Sequence, residues 1–199
     1  LDSLKSTHPI EVEVHHPNEI SEVFDAISYA KGAYLIRMLE HYIGTRAFRK
    51  GLSNYLKQNA YDNASTQDLW AAFERASGKP VAKIMNKWTK VGGYPLVDVA
   101  VRGTTAALIQ SRYISNTTRK NDKTLWPIPL TIEGESIKTQ TYLMDKKRMT
   151  IPAGKGWLNV NDDETAYIRV RYDDALLQRL GEALDSGRHT LGSTDRYAL

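Results

Sequence analysis

The sequence contains no cysteine among its 199 residues, so it can form neither disulfide bonds nor thiolate metal sites. This composition suits a reducing compartment, and we predict a cytoplasmic location. It also lacks an uninterrupted apolar run of about 18 residues, the least that would indicate a transmembrane helix. The first residues, Leu1-Asp2-Ser3-Leu4-Lys5, have neither the basic flank nor the apolar stretch of a signal peptide. We therefore expect no membrane partner.

Sequence motifs for metal or phosphate binding are absent as well. No two histidines have the i, i+4 spacing, with Glu after the first, that would place a zinc site on one helical face. His15 and His16 are adjacent, so in an extended segment they point to opposite sides. Gly32 and Gly92-Gly93 lie outside the glycine-rich phosphate motifs, and we interpret them as a close-packing position and a turn. We predict no metal or cofactor site within this chain.

Charge of one sign is not concentrated anywhere. The chain has 27 basic and 23 acidic residues, giving a net charge of +4. The densest basic cluster, Lys146-Lys147-Arg148, lies in a predicted turn. Three positive charges in a turn more often belong to a solvated surface than to a binding site for a nucleic-acid phosphate backbone. We therefore expect no nucleic-acid partner.

Helical periodicity extends from Phe24 to about Lys90. The first predicted helix begins at an Asp25 cap and ends at Gly44. A second ends near Asn59, and a third begins at a Ser65 cap and ends at Gly78. The fourth starts at Pro80. Four short helices with tight connections predict a compact helical unit.

At Gly92-Gly93-Tyr94-Pro95 the pattern changes to short strands. Apolar residues then recur in runs bounded by Gly, Asn and Asp, at 96–101, 107–109, 128–132, 140–143, 157–160 and 167–170. This spacing predicts a small antiparallel β-sandwich. After Tyr172 the pattern is helical again, so the predicted fold class is α+β.

The apolar run that begins at Phe24 contains the strongest functional candidate. The predicted buried stripe of this helix consists of Ile27, Ala30, Tyr34 and Met38. Tyr29 has Gly32 and Ala33 at i+3 and i+4, so small neighbours leave open volume near its phenol. From spacing alone, a buried structural tyrosine is the ordinary interpretation. Glu22 and Glu40 could form an acid/base pair, although scattered carboxylates usually belong to a solvated face.

This run resembles a motif of the zinc aminopeptidases that include aminopeptidase N and the archaeal tricorn-interacting aminopeptidases. The family pattern is Phe-Asp-x-Ile-Ser-Tyr-x-Lys-Gly-Ala, and the stretch from Phe24 to Ala33 matches all its specified positions. Further similarity lies in Thr7-His8-Pro9-Ile10, Pro17-Asn18-Glu19-Ile20, Gly93-Tyr94-Pro95, and the strands around Trp126 and Tyr167. The resemblance implies that Tyr29 is catalytic and donates a hydrogen bond to the oxyanion formed from the peptide carbonyl. Lys31 and Asp25 would be structural, as a helix charge partner and a cap.

The same resemblance implies what the chain does not carry. The family's zinc ligands, its general-base glutamate and its Gly-x-Met-Glu-Asn run have no counterparts here. We therefore expect a piece of a longer enzyme: residues 1–94 as the latter part of a catalytic domain, 95–172 as a β-sandwich, and 173–199 as the start of a helical domain. Zinc would belong to the full-length protein, and its partners would be peptide substrates and the remainder of the catalytic domain. The isolated chain should be inactive. The alternative is a non-catalytic module whose sandwich binds a protein partner.

Overall fold

A computed structural model describes residues 1–16, 18, 25–115 and 122–187. The chain divides into two compact units: a helical unit, His8–Gly92, and a strand-rich unit made of the described residues of Leu1–Thr7 and Gly93–Leu199. Helices and strands thus occupy separate parts of the sequence, which confirms the predicted α+β class. The division into three domains at 94 and 172 stays a prediction. Phe24, Pro17, Glu22 and the predicted tail beyond 187 lie outside the described residues.

The described residues of the helical unit form a π-helical turn followed by four α-helices. The turn spans Ile27–Lys31, and the helices are α1 (Gly32–Ile43), α2 (Thr45–Gln58), α3 (Thr66–Ser77) and α4 (Val81–Lys90). α1 and α3 end where predicted, at Gly44 and Gly78, whose φ values of 86° and 69° favour glycine. The Ser65 hydroxyl accepts from the Asp68 amide and the Asp68 carboxylate accepts from the Ser65 amide, so the predicted capping box is confirmed. No helix in the described ranges is long and apolar enough to span a membrane.

Helices α2 and α3 approach each other closely at Gly51. A Cβ added at Gly51 would lie 2.6 Å from Phe73 Cδ1, 3.2 Å from Phe73 Cα and 3.3 Å from the Ala72 carbonyl oxygen. Two of these three atoms belong to the backbone, and the Phe73 ring is buried and stacked on Phe48. The glycine is therefore the feature that lets the two helices pack at this distance.

We predict that Gly51→Ala lowers the free energy of unfolding by about 1 kcal/mol or more, because overpacking outweighs the better helix propensity of alanine. Gly181→Ala is the matched control, since its added Cβ would meet nothing within 4 Å. That control should raise the free energy of unfolding by about 0.5–1 kcal/mol. Urea denaturation of both variants measures the two effects. Equal stabilisation by both substitutions would contradict the packing argument.

The strand-rich unit contains seven strands and one further α-helix. The strands are β1 (Tyr94–Arg102), β2 (Thr105–Tyr113), β3 (Ile128–Gly134), β4 (Ile137–Met144), β5 (Arg148–Pro152), β6 (Leu158–Val160) and β7 (Arg169–Tyr172), with a 3-10 turn at Asp162–Glu164 and helix α5 at Asp174–Asp185. They form a four-stranded sheet in the order β5-β2-β1-β7 and a three-stranded sheet in the order β4-β3-β6. Both sheets contribute residues to the buried core.

Two features of these sheets differ from the prediction. β7 runs parallel to β1, so the antiparallel prediction is wrong for this pair. These strands are far apart in sequence, and no hairpin connects them to set their direction. β5 was absent from the predicted strands because its apolar residues, Met149 and Ile151, are few and it is an edge strand closed by Pro152. Arg148 begins this strand rather than belonging to the predicted turn.

A buried glutamine connects β2 to the segments that flank the other sheet. The Gln110 side-chain amide donates to the carbonyl oxygens of Trp126 and Lys146, each at 3.0 Å, and its oxygen accepts from the Trp126 amide at 2.9 Å. Gln110 is almost fully buried. Buried polar groups are costly without partners, so this side chain satisfies backbone groups that no strand ladder reaches.

We predict that Gln110→Leu lowers the free energy of unfolding by about 2–4 kcal/mol, because it leaves several buried backbone groups without this partner. Gln140→Leu is the control: the exposed Gln140 side chain accepts one hydrogen bond, from the Tyr142 hydroxyl. The loss of this hydrogen bond should lower the free energy of unfolding by less than about 1 kcal/mol. Chemical denaturation monitored by tryptophan fluorescence distinguishes the two variants. A small effect at Gln110 would show that water replaces the lost bonds.

Candidate active site around Tyr29

Asp25 holds the start of the candidate site. Its Oδ1 accepts a hydrogen bond from the Ser28 amide at 2.9 Å, and its carbonyl oxygen accepts from the Tyr29 amide at 3.2 Å. The other carboxylate oxygen, Oδ2, lies 3.0 Å from His8 Nε2. The Ser28 hydrogen bond is the main cause that lowers the pKa of Asp25, and the contact with His8 lowers this pKa further. The predicted capping role of Asp25 is therefore confirmed.

Tyr29 lies in the π-helical turn and is 66% exposed. The interpretation as a buried structural tyrosine is therefore wrong. Ala30 and Ala33 are exposed beside it, and a Cβ added at Gly32 would meet nothing within 4 Å. The open volume predicted near the phenol is present, whereas the close-packing role predicted for Gly32 is wrong. π-helical turns are rare and frequently occur at functional sites.

Lys31 is buried, with only 1% of its surface exposed. Its Nζ donates to the carbonyl oxygen of Val91, at 3.3 Å. Val91 caps the C-terminal end of α4, where the last carbonyl groups of a helix lack intrahelical partners and the helix dipole favours a positive charge. Lys31 therefore connects the π-helical turn to the end of another helix. Its role as a helix charge partner stays a prediction.

The buried face of this region also differs from the predicted stripe. Ala30 is exposed and Tyr34 is only partly buried, so two of the four predicted positions are wrong. The buried residues are instead Ile27, Lys31, Leu35, Met38 and Leu39. The stripe was misplaced because a lysine is normally assigned to the surface. Glu40 is partly buried, and its possible partner Glu22 lies outside the described residues.

The sequence contained one usable signal for the buried lysine. Ile27, Lys31, Leu35 and Leu39 follow a strict i, i+4 spacing, so Lys31 interrupts an otherwise apolar row. The contact between His8 and Asp25 had no such signal, because the two residues are 17 positions apart and do not belong to one periodic element.

The fit of a metal ion can be tested on the side chains present. Within residues 1–16, 18, 25–115 and 122–187, no group of three or more His, Cys, Asp or Glu residues could hold a metal ion. His8 and Asp25 meet as a pair, but the Asp25 carboxylate is also bound to the Ser28 amide. The described residues therefore do not fit a resident zinc ion.

Comparisons with known proteins give a consistent result. Residues 1–88 match the family profile described as "Peptidase family M1 domain". Aminopeptidase M1 of Arabidopsis thaliana is 41% identical over 217 residues, covering 100% of this chain and 24% of the relative. Tricorn protease-interacting factor F2 of Thermoplasma volcanium is 44% identical over 184 residues, covering 92% and 23%. Probable aminopeptidase 2 of Sulfurisphaera tokodaii is 43% identical over 178 residues, covering 88% and 22%. The chain thus spans about a quarter of the length of these relatives.

We predict a specific pH dependence for the Asp25 cap. Because the pKa of the Asp25 carboxyl is lowered from 3.8 in the folded state, its contribution to stability is complete above the unfolded value and is lost as the pH falls through the lowered pKa. Asp25→Asn cannot ionise and should lack this component. The measurement is the difference in unfolding free energy between wild type and Asp25→Asn from pH 2 to 6.

The difference in unfolding free energy between wild type and Asp25→Asn should shrink as the pH falls. A difference that stays constant with pH would contradict the role of the ionised Asp25 carboxylate as a cap. His8→Gln is the matched control. It keeps the Ser28 hydrogen bond, which is the larger cause, and should retain most of the pH dependence.

Proposed function

Because this chain belongs to the M1 family of peptidases, we propose that it is part of an aminopeptidase in which Tyr29 acts on the reacting peptide bond. The observation that carries the proposal is the exposure of Tyr29 on a π-helical turn whose two ends are anchored by Asp25 and Lys31. A structural tyrosine has little reason to lie in an exposed turn of this kind. The whole protein would remove amino-terminal residues from peptides.

The proposed role of Tyr29 is that of a hydrogen-bond donor. When a nucleophile adds to a peptide carbonyl, the oxygen gains negative charge, and a donor already positioned at that oxygen stabilises the transition state. The Tyr29 hydroxyl can serve as such a donor without itself transferring a proton. The small residues Gly32 and Ala33 beside it leave room for a substrate to approach.

Zinc enters the proposal only through the rest of the protein. As a Lewis acid it would polarise the substrate carbonyl, but the described residues do not fit it. Its ligands would belong to the remainder of the catalytic domain, which is also the proposed partner of the helical unit. We expect the 199-residue chain alone to be inactive. The cytoplasmic location and the lack of nucleic-acid binding stay predictions.

We predict that Tyr29→Phe in the full-length enzyme lowers kcat by about 10²–10³, because one oxyanion donor is lost. KM should change little, since the hydrogen bond strengthens only as the oxyanion forms. Stability should also change little, because the side chain is largely exposed. The assay uses fluorogenic amino-acid amides, with the unfolding midpoint measured in parallel.

Tyr61→Phe is the control, because it makes the same chemical change at a tyrosine that is fully exposed and lies outside the helices. It should leave kcat unchanged. A Tyr29→Phe enzyme with near-normal kcat would overturn the proposed role. Activity of the 199-residue chain alone would contradict the proposed dependence on the rest of the protein.

A further inference from the structure

The four-stranded sheet of the strand-rich unit carries a groove of about 460 Å³ on one face, within the range of pockets that hold small ligands. The strand register explains its shape. Ala100 of β1 lies directly opposite Ala107 of β2, so two methyl groups form a low floor. The neighbouring row, Arg148, Ile109, Asp98 and Arg171, crosses all four strands and forms a higher wall.

The charges that line the groove are not all neutralised. Arg171 Nε donates to Asp98 Oδ1 at 2.6 Å, so these two side chains are paired. The Asp173 carboxylate accepts from the amides of Leu176 and Val101, which occupies both of its oxygens. Arg102 and Arg148 also line the groove, and their side chains have no hydrogen-bond or ion-pair partner among the described residues.

This combination indicates the chemistry of a ligand. The three arginines and two aspartates of the lining sum to one positive charge, which matches a single carboxylate better than a multiply charged phosphate. The floor of Ala100 and Ala107 is apolar, and Ile109 adds an apolar side chain to the otherwise charged wall. A carboxylate that joined two guanidinium groups would form charge-assisted hydrogen bonds, and an adjacent aliphatic group would cover the floor.

We propose that this groove binds a short acidic peptide segment, in which one aspartate or glutamate carboxylate meets Arg102 and Arg148 and neighbouring apolar side chains cover Ala100 and Ala107. The groove belongs to the strand-rich unit, whereas Tyr29 belongs to the helical unit, and this proposal does not depend on the proposed peptidase function. Residues i−1 and i+1 of an extended peptide point to the side opposite residue i. A peptide with apolar residues on both sides of the acid must therefore turn, or present its side to the groove, to place the acid at the arginines and the apolar side chains on the floor.

The test is fluorescence anisotropy with the 199-residue chain and a Leu-Glu-Leu peptide that is amidated and carries an uncharged fluorophore on its amino terminus, so that the glutamate is its only charge. The matched Leu-Gln-Leu peptide should bind the wild-type chain about tenfold more weakly than Leu-Glu-Leu does. The Leu-Glu-Leu peptide should likewise bind the Arg102→Gln and Arg148→Gln variants about tenfold more weakly, because each change removes a charge-assisted hydrogen bond. Binding should also weaken as salt is raised. Equal binding of the two peptides would overturn the proposal.

Three controls separate this groove from a general charge effect. Arg46→Gln makes the same charge change on an exposed arginine of α2 and should leave the affinity unchanged. Ala107→Leu and Ala100→Leu keep every arginine but fill the floor, so each should abolish binding, with thermal unfolding measured to verify the fold. Binding that survives both leucine variants would place the peptide elsewhere. Inorganic phosphate that competes as well as the peptide would make this an anion site and overturn the peptide assignment.

Discussion

The buried hydrogen bond from Lys31 to the Val91 carbonyl is the constraint that organises the helical unit. Lys31 ends the π-helical turn before α1, and Val91 follows the last residue of α4, so the bond connects the two ends of the four-helix segment. The aliphatic part of the lysine side chain packs in the interior, while its ammonium group reaches the backbone carbonyl group of Val91 at a helix end. The helical segment is thereby closed by a contact between residues 60 positions apart.

The same constraint accounts for the exposure of Tyr29. Residues two apart in a helix are rotated by about 200°, so they face opposite sides. With Lys31 inside, Tyr29 must lie outside. Asp25 acts from the other end of the turn, where its carboxylate and carbonyl bind the amides of Ser28 and Tyr29. The side of the helix on which Tyr29 lies thus follows from the contacts of Lys31 and Asp25.

Local sequence rules predicted the parts of the fold that depend on neighbouring residues. The Gly44 and Gly78 stops and the Ser65 cap are examples, because turn and cap chemistry acts within a few positions. Contacts between distant residues were not predictable in this way. The buried Lys31 depends on Val91, the parallel direction of β7 depends on β1, and the role of Gln110 depends on Trp126. Each of these partners is set by tertiary packing rather than by local periodicity.

An anchored turn has a physical advantage for the proposed role of Tyr29. A π-helical turn is less favourable than a regular helix, so it persists only where surrounding contacts hold it, and here Asp25 and Lys31 supply them. Stabilisation of an oxyanion is largest when the donor is already oriented, because no reorganisation is then required as charge develops. A buried tyrosine would be oriented but inaccessible, and a tyrosine in a loop would be accessible but mobile. The π-helical turn places an accessible hydroxyl on a backbone that is fixed at both ends.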